Sequence, residues 1–83
     1  MKKTNLTQIN PNEKVTIDSN NIKGNNKHHL ENLSFIKGNQ ITYLYPSLSK
    51  NPKAYLIKNT IIALRNEDAK NIIVIREDQN EKT

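Results

Sequence analysis

The chain has 83 residues, enough for one small domain with a thin core, and it contains no cysteine, which excludes disulfides and thiolate metal sites. Thirteen lysines and arginines against eight aspartates and glutamates give a formal net charge of +5, which suits an acidic protein surface, a nucleic acid or an anionic lipid headgroup. No apolar run is long enough for a signal peptide or a membrane span, so we expect a cytoplasmic protein without membrane insertion.

The beginning of the chain is predicted to be a mobile lead-in that is followed by a turn and a strand. Residues 1–8 are polar and show no periodic pattern, so we expect the domain to begin at residue 9. Pro11 and Asn12 supply the chemistry of a tight turn. Val15 and Ile17 alternate with polar residues, a pattern that predicts a half-buried strand.

A short helix is predicted over residues 27–33. Asn25 or Asn26 is expected to cap it, and Leu30 and Leu33 lie three positions apart, on one face. Because so short a helix is not stable alone, we expect it to lie across an opening of the domain.

A second strand and a loop follow. The alternation in residues 40–45 predicts a strand with Ile41, Tyr43 and Tyr45 on one face. Residues 46–52, which begin and end with proline, are predicted to form a loop.

The stretch around Asn59 predicts a hairpin and the end of the domain. Two β-branched runs meet at Asn59, which accepts positive φ, so residues 54–65 are expected to form two strands and a tight turn. Asn66 is the predicted N-cap of a single helical turn, and residues 72–75 are the predicted last strand. Residues 77–83 are charged and lack apolar side chains, which predicts a flexible tail.

The predicted layout is that of a small, mainly β domain. About five strands, one short helix and one helical turn, joined by short connections, are typical of an SH3-like β-barrel. We expect the barrel to cover residues 9–76.

The adjacent histidines are the first candidates for a metal site. Neighbouring helical residues point about 100° apart, so His28 and His29 are poorly placed to chelate one ion, and Glu31 is the nearby acid that shares a face with either. The sequence also lacks a phosphate-binding loop, paired carboxylates and an activated nucleophile. We therefore expect no metal, no cofactor and no catalysis.

The three tyrosines raise the alternative of a nucleic-acid-binding barrel. Tyr43, Tyr45 and Tyr55, amid lysines, are candidates for a stacking platform for single-stranded nucleic acid. The lysines are spread along the chain without a run, and the tyrosines alternate as core residues do. This pattern disfavours nucleic acid as the partner.

From Leu30 onward the sequence resembles the FeoA family, the small ferrous iron transport protein A. Leu30, Leu33 and Gly38 match the family's Leu-x-x-Leu-Gly-Leu-x-Pro-Gly segment, and residues 61–65 are similar to its closing Leu-Ala-Leu-Arg strand. The resemblance extends over roughly residues 6–76. Asn or another residue stands at four positions where the family has glycine: Asn12, Ser34, Lys50 and Asn59.

The resemblance implies a non-catalytic SH3-like module that binds the cytosolic GTP-binding region of a FeoB-type ferrous iron transporter. The alternative is a small basic nucleic-acid-binding barrel or a regulatory SH3-like module, since the family is also similar to the C-terminal barrel of iron-dependent repressors. Because exposed loop and helix residues often bind partners, we expect contacts at two surfaces: a loop surface of Tyr45, Leu48 and Lys50, and a helix surface of Lys27, His28 and Glu31.

Overall fold

The computed structural model describes residues 2–46 and 51–76. The elements in chain order are β1 (Lys2–Asn5), a 3-10 turn (Leu6–Gln8), β2 (Lys14–Asn20), α1 (Asn25–Asn32), β3 (Gln40–Pro46), β4 (Lys53–Ile57), β5 (Thr60–Leu64), α2 (Asn66–Ala69) and β6 (Ile72–Arg76). The predicted mainly β architecture with one short helix and one helical turn is confirmed. Within the described residues the strands number six, one more than predicted.

The described strands form one antiparallel sheet in the order β1-β6-β2-β3-β4-β5. Three strands separate β4 from β1 in this order, yet the Tyr55 hydroxyl of β4 donates to the Leu6 carbonyl, which directly follows β1, at 3.5 Å. The sheet therefore curls around its core. Apolar side chains from every strand except β1, and from both helices, fill this core: Leu6, Ile9, Val15, Ile17, Ile22, Leu30, Phe35, Ile41, Tyr43, Tyr55, Ile57, Leu64, Ala69, Ile72 and Val74.

The N-terminal segment is part of the sheet, so the expectation of a lead-in that ends before residue 9 is corrected. Lys2–Asn5 pairs with β6 from the Lys2–Arg76 pair to the Asn5–Ile73 pair, and Leu6 is fully buried. The strand carries no large apolar residue because it lies at an edge of the sheet, where lysines are common. The predicted tail, residues 77–83, lies outside the described residues.

An ion pair joins the end of β6 to the turn before β2. Arg76 donates from Nε to Oε2 of Glu13 at 2.8 Å and from Nη2 to Oε1 at 2.7 Å. Glu13 Oε1 also accepts the backbone N–H of Asn10 at 2.8 Å. These bonds, those from Arg76 above all, lower the pKa of Glu13.

Helix α1 ends in a Schellman motif. The Phe35 N–H donates to the Leu30 carbonyl at 3.0 Å and the Ser34 N–H donates to the Glu31 carbonyl at 2.9 Å. Phe35 and Leu30 are both buried, which supplies the apolar contact of the motif. At its other end the N-cap residue is Gly24, and the predicted caps Asn25 and Asn26 lie inside the helix.

Candidate protein interface

A bulge in β3 turns Tyr45 away from the core. Tyr43 is opposite Tyr55, whereas Tyr45 is opposite Ala54, so the register with β4 shifts between the two β3 residues. An extra residue in one strand moves the side chains beyond it to the other face. Tyr43 is 5% exposed and Tyr45 is 54% exposed. The prediction that these two tyrosines share a face is therefore wrong.

The solvent side of β3, β4 and β5 carries an apolar surface that we call the outer patch. Tyr45, Ala54 and Ala63 are opposite one another across the three strands, and Leu56 and Ile61 are the next such pair. Ile61 is 61% exposed, and Leu56 and Ala54 are half-buried. Apolar side chains grouped in this way make the outer patch a candidate protein interface.

Tyr45 was among the predicted contact residues, whereas the other residues of the outer patch were not. The available signal was the hairpin: a two-residue turn at Lys58 and Asn59 places Leu56 opposite Ile61, on the face that Tyr55 does not occupy. The bulge itself leaves no such signal in the sequence pattern.

The other loop residues that were predicted to bind a partner, Leu48 and Lys50, lie outside the described residues. At the end of the same loop, the Asn51 Oδ1 accepts the backbone N–H of Asn66 at 2.9 Å. This bond ties the loop to the first residue of α2. The prediction that Asn66 is the N-cap residue of α2 is wrong. The N-cap residue is Arg65, and the Asn66 side chain does not cap the helix.

The predicted helix surface lies on the solvent side of α1. His28 Nδ1 is 3.6 Å from Glu31 Oε1, and the His28 side chain is 85% exposed. Lys27 is half-buried. The structure therefore brings His28 and Glu31 together, on a different side of the helix from the one that faces the sheet.

A groove of about 210 Å³ lies between α1 and β5. It is lined by Asn26, His29, Leu30, Leu33, Ile62, Ala63, Leu64, Arg65 and Asp68. Three residues of α1 and its C-cap residue Leu33 repeat at three- and four-residue spacing and so lie on one face of the helix. Five of the nine lining residues are apolar, and the other four, Asn26, His29, Arg65 and Asp68, add polar or charged groups, so the groove is mixed in character.

The two adjacent histidines point to different sides of α1. His29 lines the groove, whereas His28 pairs with Glu31. Within residues 2–46 and 51–76, no three histidine, aspartate or glutamate side chains are grouped closely enough to hold a metal ion. In the same ranges, no helix has the length and apolar character needed to cross a bilayer.

The tyrosines do not form the stacking platform that the nucleic-acid alternative requires. The Tyr43 and Tyr55 rings pack against each other in the core, with centroids 5.5 Å apart, and burial raises the pKa of both hydroxyls. Lys53 Nζ lies 5.2 Å from the Tyr43 ring centroid. A base cannot stack on buried rings. Of the four aromatic residues in the chain, Tyr45 alone is exposed.

Several solved structures share this fold, and three of them are described below. The chain is similar to a FeoA-like protein from Clostridium acetobutylicum, with 18% identity and a TM-score of 0.81 over 100% of this chain and 99% of that one. It is also similar to iron(II) transport protein A from Clostridium thermocellum, with 22% identity and a TM-score of 0.77. That match covers 86% of this chain but only 44% of the other one. FeoA from Stenotrophomonas maltophilia, solved in complex with zinc and described as a prokaryotic SH3 domain protein, has 21% identity and a TM-score of 0.74, with 86% and 88% covered.

These likenesses confirm the SH3-like fold. No curated protein sequence matches the chain at a significant level. The family model described as the FeoA domain matches residues 4–76, nearly all of the chain, and this range begins within β1, which sequence reasoning had left outside the domain. The chain therefore belongs to the FeoA domain family.

Proposed function

We propose that the chain is a non-catalytic accessory factor of ferrous iron uptake that binds the cytosolic GTP-binding region of a FeoB-type ferrous iron transporter. The family supports the connection with ferrous iron transport. The similar protein from Stenotrophomonas maltophilia is described as a candidate ferrous iron transport activating factor. Such a role places the protein in the cytoplasm.

The outer patch is the observation that carries the proposal. Large apolar side chains such as Ile61 and Tyr45 remain exposed on the outer patch although the domain has a complete core of its own. Their burial against a partner would release about 25 cal/mol for each Å² of apolar surface removed from water. A surface with this composition suits a protein partner better than a phosphate backbone.

The mechanism is differential binding. A rigid module changes a transporter's cycle only if it binds one of the transporter's states more tightly than another. Iron is then the cargo of the transporter, and the module contributes contacts to one nucleotide state of the partner. The helix surface of Lys27, His28 and Glu31 is a second contact in this proposal.

The test uses the full chain and the purified cytosolic region of the transporter from the same organism. Amide chemical shifts of the isotope-labelled chain are followed during the titration. We expect the largest changes at residues of the outer patch. Ile61→Ser is expected to weaken the affinity at least about tenfold, which corresponds to about 1.4 kcal/mol.

Ile36→Ser is the matched control. Ile36 is also an exposed isoleucine, 46% accessible, but it lies in the turn before β3 rather than on the outer patch. We expect this variant to bind like the original chain. Equal losses in the two variants would argue against the outer patch, and the absence of any shift change would reject the proposed function.

An oligonucleotide titration run in parallel tests the nucleic-acid alternative. Binding to phosphates weakens steeply as the salt concentration rises, whereas apolar docking does not. Because the structure buries Tyr43 and Tyr55, we expect little binding to single-stranded oligonucleotide at physiological salt. Salt-sensitive shifts at lysines and at Tyr45, without binding to the transporter region, would favour the alternative.

A further inference from the structure

The backbone of β5 has hydrogen-bonding groups that point away from the sheet. The Tyr43 N–H donates to the Glu13 carbonyl at 3.1 Å, and its carbonyl accepts the Asn12 N–H at 2.5 Å, so both Tyr43 groups point away from β4. Opposed residues of antiparallel strands alternate between bonded and non-bonded pairs. Tyr55, opposite Tyr43, therefore directs its groups toward Ile62 on β5.

This alternation determines the direction of the neighbouring groups on β5. If the Ile62 N–H and carbonyl point toward β4, those of Ile61 and Ala63 point outward. β5 is an end strand of the sheet, and no other strand in the described part of the chain pairs with its outer side. An exposed strand edge of this kind is a template for an added strand.

The surroundings of this edge suit an extended peptide. Five residues of β5 span about 17 Å, and a paired strand lies about 4.8 Å away. Alternate side chains of an added strand point to opposite faces. One set would extend the outer patch beside Ile61 and Ala63, and the other would enter the groove, where Leu30, Leu33 and Ile62 offer apolar contacts.

Charge determines which kind of strand fits. Lys58 at the hairpin turn and Arg65 at the end of β5 are exposed, and neither forms an ion pair with a described residue. If a second copy paired antiparallel through Ile61 and Ala63, Lys58 of each copy would lie close to Arg65 of the other. These like charges would repel each other, and each copy also carries a formal net charge of +5. A segment with acidic residues beside its apolar ones avoids this repulsion.

We propose that the open edge of β5 binds an extended, acidic-flanked apolar segment of the transporter's cytosolic region as an added β-strand, with one apolar side chain in the groove between α1 and β5. This inference rests on the proposed function and adds its binding mode. Backbone hydrogen bonds to Ile61 and Ala63 supply the pairing. The groove would select the apolar side chain of the added strand, and Lys58 and Arg65 at the ends of β5 would select its acidic residues.

Amide hydrogen exchange of the full chain, alone and saturated with the purified cytosolic region, tests the added strand. In the free chain we expect rapid exchange at Ile61 and Ala63 and slow exchange at Ile62, whose N–H is bonded to β4. In the complex, exchange at Ile61 and Ala63 should slow at least about tenfold, while Ile62 remains slow.

Two variants at one exposed site support the exchange measurement. Ala63→Pro removes the outward N–H and is expected to weaken binding at least about tenfold, whereas Ala63→Ser keeps that N–H, loses only part of an apolar contact and should weaken binding much less. Circular dichroism verifies that Ala63→Pro is folded. The exchange experiment needs no variant and decides the question if that variant does not fold.

Each outcome has a distinct meaning. Binding with protection of Ile61 and Ala63 supports the added strand. Binding without that protection overturns the added strand and leaves the proposed function intact, whereas no binding at all rejects both. Protection that rises with the concentration of the chain alone would identify a second copy as the occupant and would overturn the choice of a transporter segment.

Discussion

Tyr43 and Tyr45, two residues apart on β3, lie on opposite faces of the sheet. Side chains two positions apart on a regular strand share a face, so the bulge between these residues is what separates them. Tyr43 consequently packs on Tyr55 in the core, and Tyr45 joins the outer patch. The bulge thus gives the two tyrosines different roles: Tyr43 contributes to the core, and Tyr45 belongs to the proposed binding surface.

The two tyrosines should respond differently to truncation. Tyr43→Ala removes a buried ring and is expected to lower the free energy of unfolding by about 3 kcal/mol. Tyr45→Ala removes an exposed ring and should change it by less than about 0.5 kcal/mol. Urea denaturation followed by circular dichroism measures both. Similar losses in the two variants would contradict the bulge.

The end of α1 offers a test by stabilisation. Ser34 has φ of 80° at the position after the helix, where the Schellman motif normally has glycine. Ser34→Gly removes the strain of a left-handed residue and should raise the free energy of unfolding by about 0.5–1 kcal/mol. Ser34→Ala, which keeps a Cβ atom, serves as the control and should give no gain. Equal stabilities for the two variants would argue against this backbone conformation.

The turns are the part of the fold that sequence reasoning predicts best. Asn12, Ser34 and Asn59 stand where the FeoA family has glycine, and all three adopt positive φ, at 69°, 80° and 63°. The reason is local: a turn residue depends on its own φ and ψ, so its chemistry is visible in the sequence. The hairpin at Asn59 and the turn at Asn12 were predicted on this basis.

Features that depend on pairing with distant residues were not predictable. Lys2–Asn5 is polar and shows no alternation, because as an edge strand it needs only the backbone of β6 to pair with. The bulge in β3 depends on its register with β4, which no local pattern encodes. The outer patch as a whole was missed for the same reason: the hairpin indicates the Leu56–Ile61 pair, but Tyr45 joins this pair only through the bulged register between β3 and β4.

The N-terminal segment should contribute strongly to stability. Leu6 is fully buried and its carbonyl accepts a hydrogen bond from Tyr55. Leu6→Ala is expected to lower the free energy of unfolding by about 3 kcal/mol. Gln8→Ala, at an exposed position of the same 3-10 turn, is the control and should stay within about 0.5 kcal/mol. If Leu6→Ala were as stable as the control, the result would support the original prediction that residues 1–8 are a mobile lead-in.

The ion pair between Glu13 and Arg76 should make stability depend on pH. At pH 7, Glu13→Gln is expected to lower the free energy of unfolding by about 1–2 kcal/mol, because the carboxylate accepts two hydrogen bonds from the guanidinium. Since folding lowers the pKa of Glu13 from its ordinary value near 4.5, the ionised form is favoured in the folded state. The contribution is therefore complete above that ordinary value and is lost as the pH falls through the folded value.

The measurement is a series of urea denaturation curves for the original chain and Glu13→Gln between pH 7 and pH 2. The two free energies should differ by a constant amount down to about pH 4.5 and converge below it, because a protonated Glu13 and a glutamine are both neutral. Glu67→Gln, which removes an exposed carboxylate of α2, is the control and should change the free energy of unfolding at pH 7 by less than about 0.5 kcal/mol. A gap between Glu13→Gln and the original chain that persists unchanged at pH 2 would show that the loss comes from packing rather than from the charge of Glu13.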